Sequence, residues 1–197
     1  TQLLPVADAD LIKSPARPLR FLFVGRFAAN KGIGILLEAA QRLNAAGFQD
    51  RFVLDLAGKG PLFEQMRAKY QLPNANFMGF VTDEDLDRCY LDDQVFVLPT
   101  LFEGMPTVVL EAMARAMPIL VTDTGATLEL VDGSNGTIIP KNDAQALQGA
   151  MQAMIELSAA ALQQQSAASL DKVRQRFTWP IVAAAHLALF RDMWHSY

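Results

Sequence analysis

Two glutamates flank the start of a predicted helix in the most informative segment of the chain. Glu103 precedes this helix and Glu111 lies about two turns into it, within the run Pro99-Thr-Leu-Phe-Glu-Gly-Met-Pro-Thr-Val-Val-Leu-Glu-Ala-Met-Ala. The unpaired N–H groups and the macrodipole at a helix N-terminus attract phosphate. Carboxylates cannot serve a phosphate, so we expect both glutamates to bind hydroxyl groups. Because a helix rises about 1.5 Å per residue, the two glutamates would lie roughly 12 Å apart.

A second segment, residues 25–32, supplies positive charge. It reads Gly25-Arg-Phe-Ala-Ala-Asn-Lys-Gly and follows the first predicted strand. Arg26 offers a planar fork of donors and Lys31 a compact charge, a combination that suits pyrophosphate, although a solvated loop with two basic residues would look the same. The glycine spacing matches neither a Walker A loop nor a dinucleotide-binding fingerprint. Hydroxyl groups on both sides of a pyrophosphate occur in a nucleotide sugar, the ligand class that these residues suit.

Two further strand ends carry weaker signals. Lys59, within Gly58-Lys-Gly-Pro, could face a ligand or simply belong to a tight turn. Phe80 and Val81 follow Gly79 and could contact a nucleobase. Packing into the core is nevertheless the more common fate of a phenylalanine such as Phe80.

Short apolar runs alternate with amphipathic segments along the chain. This alternation predicts an α/β fold, a Rossmann-like parallel sheet with helices on both faces, which binds ligands at the carboxyl ends of its strands. The predicted strands are 19–25, 52–57, 75–78, 95–98, 119–121 and 136–139. The predicted helices are 31–46, 61–70, 83–91, 106–116, 127–131, 144–157, 159–176 and 178–197.

Three regions follow from this pattern. Residues 1–18 are predicted to be a linker, residues 19–177 a ligand-binding Rossmann-like domain and residues 178–197 a C-terminal helix. An apolar stripe on that helix is expected to pack either on this domain or on a missing second domain. The stripe consists of Ile181, Ala185, Leu189 and Met193.

Composition excludes several classes of protein. The 197 residues are 51% hydrophobic, which allows a substantial core, and the net charge of −4 argues against a nucleic-acid-binding protein. The single cysteine, Cys89, rules out an internal disulfide and favours a reducing cytoplasm. Neither a membrane span nor a signal peptide is expected, and the missing initiator Met suggests a fragment. The acidic helix start Asp83, Glu84, Asp85 and Asp87 is expected to favour the macrodipole rather than bind a metal.

The candidate segments occur in a fixed order between residues 21 and 182. They are Val24-Gly-Arg with Lys31-Gly, Ala57-Gly-Lys-Gly-Pro, Gly79-Phe-Val, Pro99-Thr with Glu103-Gly-Met-Pro and Glu111-Ala-Met-Ala, Thr124-Gly and Asn135-Gly. Together they resemble the retaining glycosyltransferases with two Rossmann-like domains, the GT-B fold of glycosyltransferase group 1. Six motifs in register make this resemblance highly specific.

The resemblance implies a role for each matching residue. Arg26 and Lys31 would bind the donor diphosphate, Glu103 the donor sugar and Glu111 the ribose hydroxyls, with Glu103, Arg26 and Lys31 forming the catalytic set. The base would lie near Phe80 and Val81. The remaining donor-binding positions are Gly25, Lys59, Gly104, Met105, Pro106 and Thr107, of which Pro106 has no N–H to donate.

The resemblance also implies that the chain is the C-terminal, donor-binding half of a longer enzyme. The missing N-terminal domain would carry the acceptor site and any peripheral membrane contact. The full enzyme would transfer a sugar from a nucleotide-diphosphate sugar with retention, without a metal or cofactor, and the isolated domain would be inactive. A nucleotide-sugar-binding module and a GT-B epimerase or phosphorylase remain alternatives. A Rossmann-type oxidoreductase does not, because its glycine fingerprint is absent.

The chain departs from the family pattern at two positions where the family usually has glycine. Ala116 stands at the end of the predicted helix 106–116, where we expect it to affect helix termination. Ala126 follows Gly125 and adds a methyl group where the backbone approaches the interior or the ligand.

Overall fold

The computed structural model describes residues 8–195 and shows a six-stranded parallel sheet. The strands are β1 (Leu19–Val24), β2 (Phe52–Ala57), β3 (Ala75–Gly79), β4 (Val95–Leu98), β5 (Ile119–Thr122) and β6 (Gly136–Ile139). Their order across the sheet is β3-β2-β1-β4-β5-β6. The central strands are apolar and buried on both faces, as parallel strands between two helical layers should be. The predicted Rossmann-like α/β class is confirmed.

Helices cover both faces of this sheet. They are α1 (Asp8–Leu11), α2 (Ile33–Ala45), α3 (Phe63–Lys69), α4 (Asp83–Asp92), α5 (Thr107–Ala114), α6 (Thr127–Leu130), α7 (Ala144–Glu156), α8 (Ala159–Arg176) and α9 (Trp179–His195). A short 3₁₀ turn, Ala29–Lys31, precedes α2. The predicted helix at residue 31 therefore starts two residues late, because Gly32 adopts a left-handed conformation with φ +67°.

The strand order reverses between β1 and β4. From β1 the chain proceeds to β2 on one side, and from β4 it proceeds to β5 on the other. Open α/β sheets bind ligands at such a reversal, outside the carboxyl ends of the strands, so the expected site lies at the loops that leave β1 and β4. These are the loops that carry Arg26, Lys31 and Glu103.

Two side chains join α4 to the end of α5. Arg115 donates from Nε to Asp87 Oδ1 and from an Nη to Asp87 Oδ2, both at 2.8 Å. Both side chains are almost fully buried. The expectation that Asp87 belongs to the acidic helix start is therefore wrong, since Asp87 lies beyond the first turn and pairs with Arg115. Asp83 and Glu84, by contrast, lie in the first turn, as predicted, and are exposed.

The segment before β1 packs on the domain where it is described. Leu11 is buried against Ala116 and Leu170. Lys13 donates from Nζ to the carbonyl oxygens of Tyr90 and Leu91, at 2.6 and 2.7 Å, in the last turn of α4. Burial lowers the pKa of Lys13 to about 8. The described part of the predicted linker thus caps α4, while the proposed boundaries at residues 18 and 178 stay predictions.

The packing partner of the C-terminal helix also stays a prediction. Ile181 is half-exposed on α9. The side chains of Ala185, Leu189 and Met193, the other members of the predicted stripe, lie outside the described residues. Trp179 and Phe190 on the same helix are exposed.

Ala116 ends α5 in a conformation that favours glycine. Its φ is +55°, it is fully buried, and its N–H donates to the carbonyl oxygen of Met113. The expected effect of this position on helix termination is confirmed. A left-handed φ costs an L-residue about 1–2 kcal/mol.

We therefore expect Ala116→Gly to raise the free energy of unfolding by about 0.5–1 kcal/mol. The gain is smaller than the strain because glycine has more freedom when unfolded and loses a methyl contact with Leu11. Urea unfolding followed by circular dichroism measures the change. Ala114→Gly, within the helix, is the matched control and should lower stability by about 0.5–1 kcal/mol. A loss of stability in both variants would contradict the prediction.

Candidate functional site

The loops after β1 and β4 are hydrogen-bonded to each other at the switch point. The carbonyl oxygen of Asn30 accepts from the N–H of Leu101 at 2.7 Å and from Thr100 Oγ1 at 2.9 Å. Thr122 Oγ1 donates to the carbonyl oxygen of Thr100, which connects the loop to the end of β5. The two loops therefore hold their side chains at a fixed spacing.

Lys31 and Glu103 meet across these loops. Lys31 Nζ and Glu103 Oε1 form an ion pair, and their side chains are 24% and 16% exposed. Two of the five charged residues predicted for the site are therefore in direct contact, although 72 positions separate them in sequence. Partial exposure leaves this pair open to an entering ligand, with which either side chain could exchange partners.

Arg26 adds a second cation to the loop that carries Lys31. Its side chain is exposed, and no hydrogen bond or ion pair within residues 8–195 holds it. The loop bends directly after it, where the N–H of Ala28 donates to the carbonyl oxygen of Arg26 at 2.8 Å. An exposed guanidinium without a carboxylate partner is available to bind an anion in two-pronged geometry.

The start of α5 presents unpaired backbone donors beside this loop. Among the described residues, nothing accepts from the N–H groups of Gly104, Met105, Thr107 or Val108, and Pro106 has no N–H. Such groups at a helix N-terminus form an anion-binding site. The backbone positions predicted to lie beside phosphate are thus free to donate.

The helix begins later than its sequence predicted. Glu103 lies in the loop before Thr107, and Glu111 lies just over one turn into α5 rather than two. The separation of roughly 12 Å, which assumed one helical axis, therefore does not apply to this pair.

Glu111 is hydrogen-bonded to Tyr90, a residue for which the sequence predicted no role in the site. Tyr90 donates from its hydroxyl to Glu111 Oε2 at 2.9 Å and is itself fully buried on α4. The spacing of the polar residues along α4 and along α5 could have indicated this contact. Asp87 and Tyr90 share one face of α4, and Glu111 and Arg115 share one face of α5.

Comparison with known proteins identifies the family. A family model described as "Glycosyl transferases group 1" matches residues 18–157. The chain belongs to this family. The protein named WcaL of Salmonella typhimurium, a glycosyltransferase that its name assigns to colanic acid biosynthesis, is 31% identical over 177 residues, which cover 84% of this chain and 43% of WcaL. The amylovoran biosynthesis glycosyltransferase AmsK of Erwinia amylovora is 34% identical over 143 residues, 66% of this chain and 34% of AmsK.

A solved structure shows the same fold. The sucrose-phosphate synthase of Thermosynechococcus elongatus superimposes with a TM-score of 0.78 at 28% identity, over 99% of this chain and 50% of that chain. The fold is that of one half of a GT-B glycosyltransferase, as the sequence predicted. The chain spans less than half the length of the curated relatives named above.

The Gly-Lys-Gly turn of this group 1 chain packs the loops together. Gly58 has a φ of +131°, and a Cβ there would lie 2.0 Å from the carbonyl oxygen of Gly25. The N–H of Gly25 donates to the carbonyl oxygen of Ala57 at 3.0 Å, so Gly25 has no N–H to offer a ligand. The side chain of Lys59 is exposed, and its alkyl part lies against Gly79. Gly58 and Gly25 therefore have a structural role, because they let the two loops approach each other closely. The side chain of Lys59 remains available to a ligand.

Phe80 does not pack into the core. It is 79% exposed, so the expectation of a core position is wrong. Val81 is partly buried against the core. An exposed aromatic ring at the carboxyl edge is compatible with the predicted contact to a nucleobase.

A groove of about 600 Å³ is lined by Phe80 and by residues of α4, and neither Lys31 nor Glu103 lines it. Arg20 also lines it and donates to both Asp55 and Asp93. Burial and the neighbouring charge of Asp55 raise the pKa of Asp93 to about 7. Because these charges pair with one another, the groove lacks the unpaired cations that a diphosphate needs. Cys89 also lines it, and burial raises the pKa of its thiol to about 11, as befits an unreactive cysteine.

The described part of the chain presents neither a metal site nor a membrane span. Among the side chains that the structure describes, His, Cys, Asp and Glu do not gather in threes at positions that could hold a metal ion. The helices described there are too short or too polar to cross a membrane.

Proposed function

We propose that the chain is the donor-binding domain of a retaining glycosyltransferase that takes its sugar from a nucleotide-diphosphate sugar. The observation that carries the proposal is the Lys31–Glu103 pair at the switch point, beside the unpaired N–H groups at the start of α5. Cations and backbone donors suit a diphosphate, and an adjacent carboxylate suits sugar hydroxyls. Family membership supports the same assignment.

The charged residues bind different parts of the donor in this proposal, in which Glu111 accepts hydrogen bonds from the ribose hydroxyls. Arg26 and Lys31 bind the diphosphate, and Lys31 exchanges its bond with Glu103 for one with phosphate. Glu103 is then released to accept hydrogen bonds from the donor sugar. As the bond from the sugar to phosphate breaks, negative charge grows on the diphosphate, where both cations and the α5 N–H groups stabilise it. Such stabilisation fills the role that a metal ion has in other transferases.

The transfer reaction itself requires more than this chain. The curated relatives are more than twice as long as the segment they share with it. We propose that a preceding domain carries the acceptor site, and that departure of the diphosphate and attack by the acceptor occur on one face of the sugar. No covalent intermediate with the protein forms. The chain alone binds the donor without transferring its sugar, and the whole protein acts in the cytoplasm.

Calorimetric titration of the 197-residue chain with UDP, GDP and ADP tests the donor site. We expect at least one of them to bind, and Arg26→Ala to weaken it about tenfold or more through loss of a charge-assisted hydrogen bond. The same variant should bind the matching nucleoside as the parent does. Arg51→Ala is the matched control. Arg51 is an exposed arginine that lies over the ring of Phe48 and precedes the amino end of β2, whereas Arg26 follows the carboxyl end of β1.

Two results would contradict the donor site. One is equal affinity of the parent chain for the diphosphate and its nucleoside, which would show that no cation binds phosphate. The other is the absence of binding for all three diphosphates. If Arg26→Ala and Arg51→Ala lose affinity equally, the change in net charge alone explains the loss, and Arg26 does not bind the diphosphate directly.

A further inference from the structure

The hydroxyl of Tyr90 has one strong acceptor. It lies 2.9 Å from Glu111 Oε2 and 3.5 Å from the carbonyl oxygen of Val108. A phenol has one proton to donate, and the shorter contact to a charged acceptor is much the stronger. The proton of Tyr90 therefore points at Glu111.

The environment of Tyr90 keeps its hydroxyl protonated, so that it can act as a donor. Its ring is fully buried and tilted against the ring of Phe96, with the centroids 6.2 Å apart. Burial, and next the charge of Glu111, raise the pKa of Tyr90 far above that of a free tyrosine. The hydroxyl thus stays protonated beside the carboxylate.

The ion pair between α4 and α5 fixes this contact. Asp87 precedes Tyr90 by one turn of α4, and Arg115 follows Glu111 by one turn of α5. The Asp87–Arg115 and Tyr90–Glu111 contacts therefore join the same two helices at successive turns. Two contacts one turn apart prevent α4 and α5 from sliding past each other.

We infer that Tyr90 is a positioning residue that orients the carboxylate of Glu111 for the ribose hydroxyls of the donor. This inference rests on the proposed function, which assigns the ribose to Glu111. A glutamate side chain has three rotatable bonds, and ordering it on binding costs affinity. Tyr90 orders the carboxylate before the ligand arrives, so its hydroxyl contributes to affinity without touching the ligand.

The test is Tyr90→Phe, which removes the hydroxyl and keeps the buried ring. Titration uses whichever of UDP, GDP and ADP binds the parent chain best, and its 2′,3′-dideoxy analogue. We expect Tyr90→Phe to weaken the nucleoside diphosphate about five- to tenfold. The analogue lacks the ribose hydroxyls, so it should bind parent and variant equally. A general structural defect would weaken both ligands alike, and that result would overturn the inference.

Glu111→Gln separates the inference from the proposed function. The parent chain is expected to prefer the diphosphate over its dideoxy analogue. If Glu111→Gln abolishes this preference, the assignment of the ribose hydroxyls to Glu111 stands. If Tyr90→Phe retains the full preference, the role inferred for Tyr90 is wrong. If the parent shows no such preference, Glu111 does not bind ribose and the proposed function loses that part. Tyr70→Phe is the matched control, since Tyr70 is also buried but lies at the end of α3. It should leave both affinities unchanged.

Discussion

Replacing Asp87 by alanine is expected to lower the free energy of unfolding by about 3–5 kcal/mol, because it removes the counter-charge of a buried arginine. The side chains of Arg115 and Asp87 are 3% and 1% exposed, so water cannot replace the lost carboxylate without opening the contact between α4 and α5. Urea unfolding, followed by circular dichroism, measures the loss.

Two controls isolate the effect of burial. Glu84→Ala removes an exposed acid from the same helix, where Glu84 pairs with Arg88 and the side chains are 66% and 63% exposed. This change should cost no more than about 0.5 kcal/mol. The double variant with Asp87→Leu and Arg115→Met replaces both charges by apolar groups and should recover most of the stability. If Asp87→Ala costs no more than Glu84→Ala, the pair does not stabilise the fold.

Local pattern was sufficient to predict the strands, although not their order in the sheet. The predicted strands 52–57, 95–98 and 136–139 coincide with β2, β4 and β6. A strand buried on both faces needs a short apolar run with a turn at each end, and both features are visible in the sequence alone. The helices from α2 to α8 were predicted from their amphipathic pattern, with ends shifted by at most two residues, whereas α1 lies in the segment predicted to be a linker.

Contacts between elements that are separated in sequence could not be predicted from local pattern. Asp87 was grouped with Asp83, Glu84 and Asp85, because acidic residues commonly occupy the first turn of a helix. Only the packing of α4 on α5 distinguishes Asp87 from its exposed neighbours, since it brings Arg115 within hydrogen-bonding distance.

The site was predicted in composition but not in geometry. Lys31 and Glu103 were both placed at strand ends, yet no local feature shows that β1 and β4 are neighbours. That adjacency explains why they meet. Phe80 was expected to be buried because it is apolar, but the chain leaves the sheet directly after Gly79 and carries Phe80 out with it.

Gly32 lets the loops after β1 and β4 approach each other closely. Gly32→Ala is therefore expected to lower the free energy of unfolding by about 3 kcal/mol or more. A Cβ at this position would lie 1.9 Å from the carbonyl oxygen of Pro99, and the φ of +67° is unfavourable for alanine. The clash is with backbone, so one of the two loops must move. Because these loops carry Lys31 and Glu103, nucleoside diphosphate affinity should fall together with stability.

Gly34→Ala provides the control, two residues along the same chain. Gly34 lies in the first turn of α2, and apart from its chain neighbours and the backbone of its own helix no heavy atom lies within 4 Å of a Cβ added there. Alanine is the better helix former, so this variant should be neutral or more stable by up to about 1 kcal/mol, with unchanged affinity. Urea unfolding and calorimetry on both variants decide the matter. Equal effects of the two substitutions would show that the contact between Gly32 and Pro99 does not set the spacing of the loops after β1 and β4.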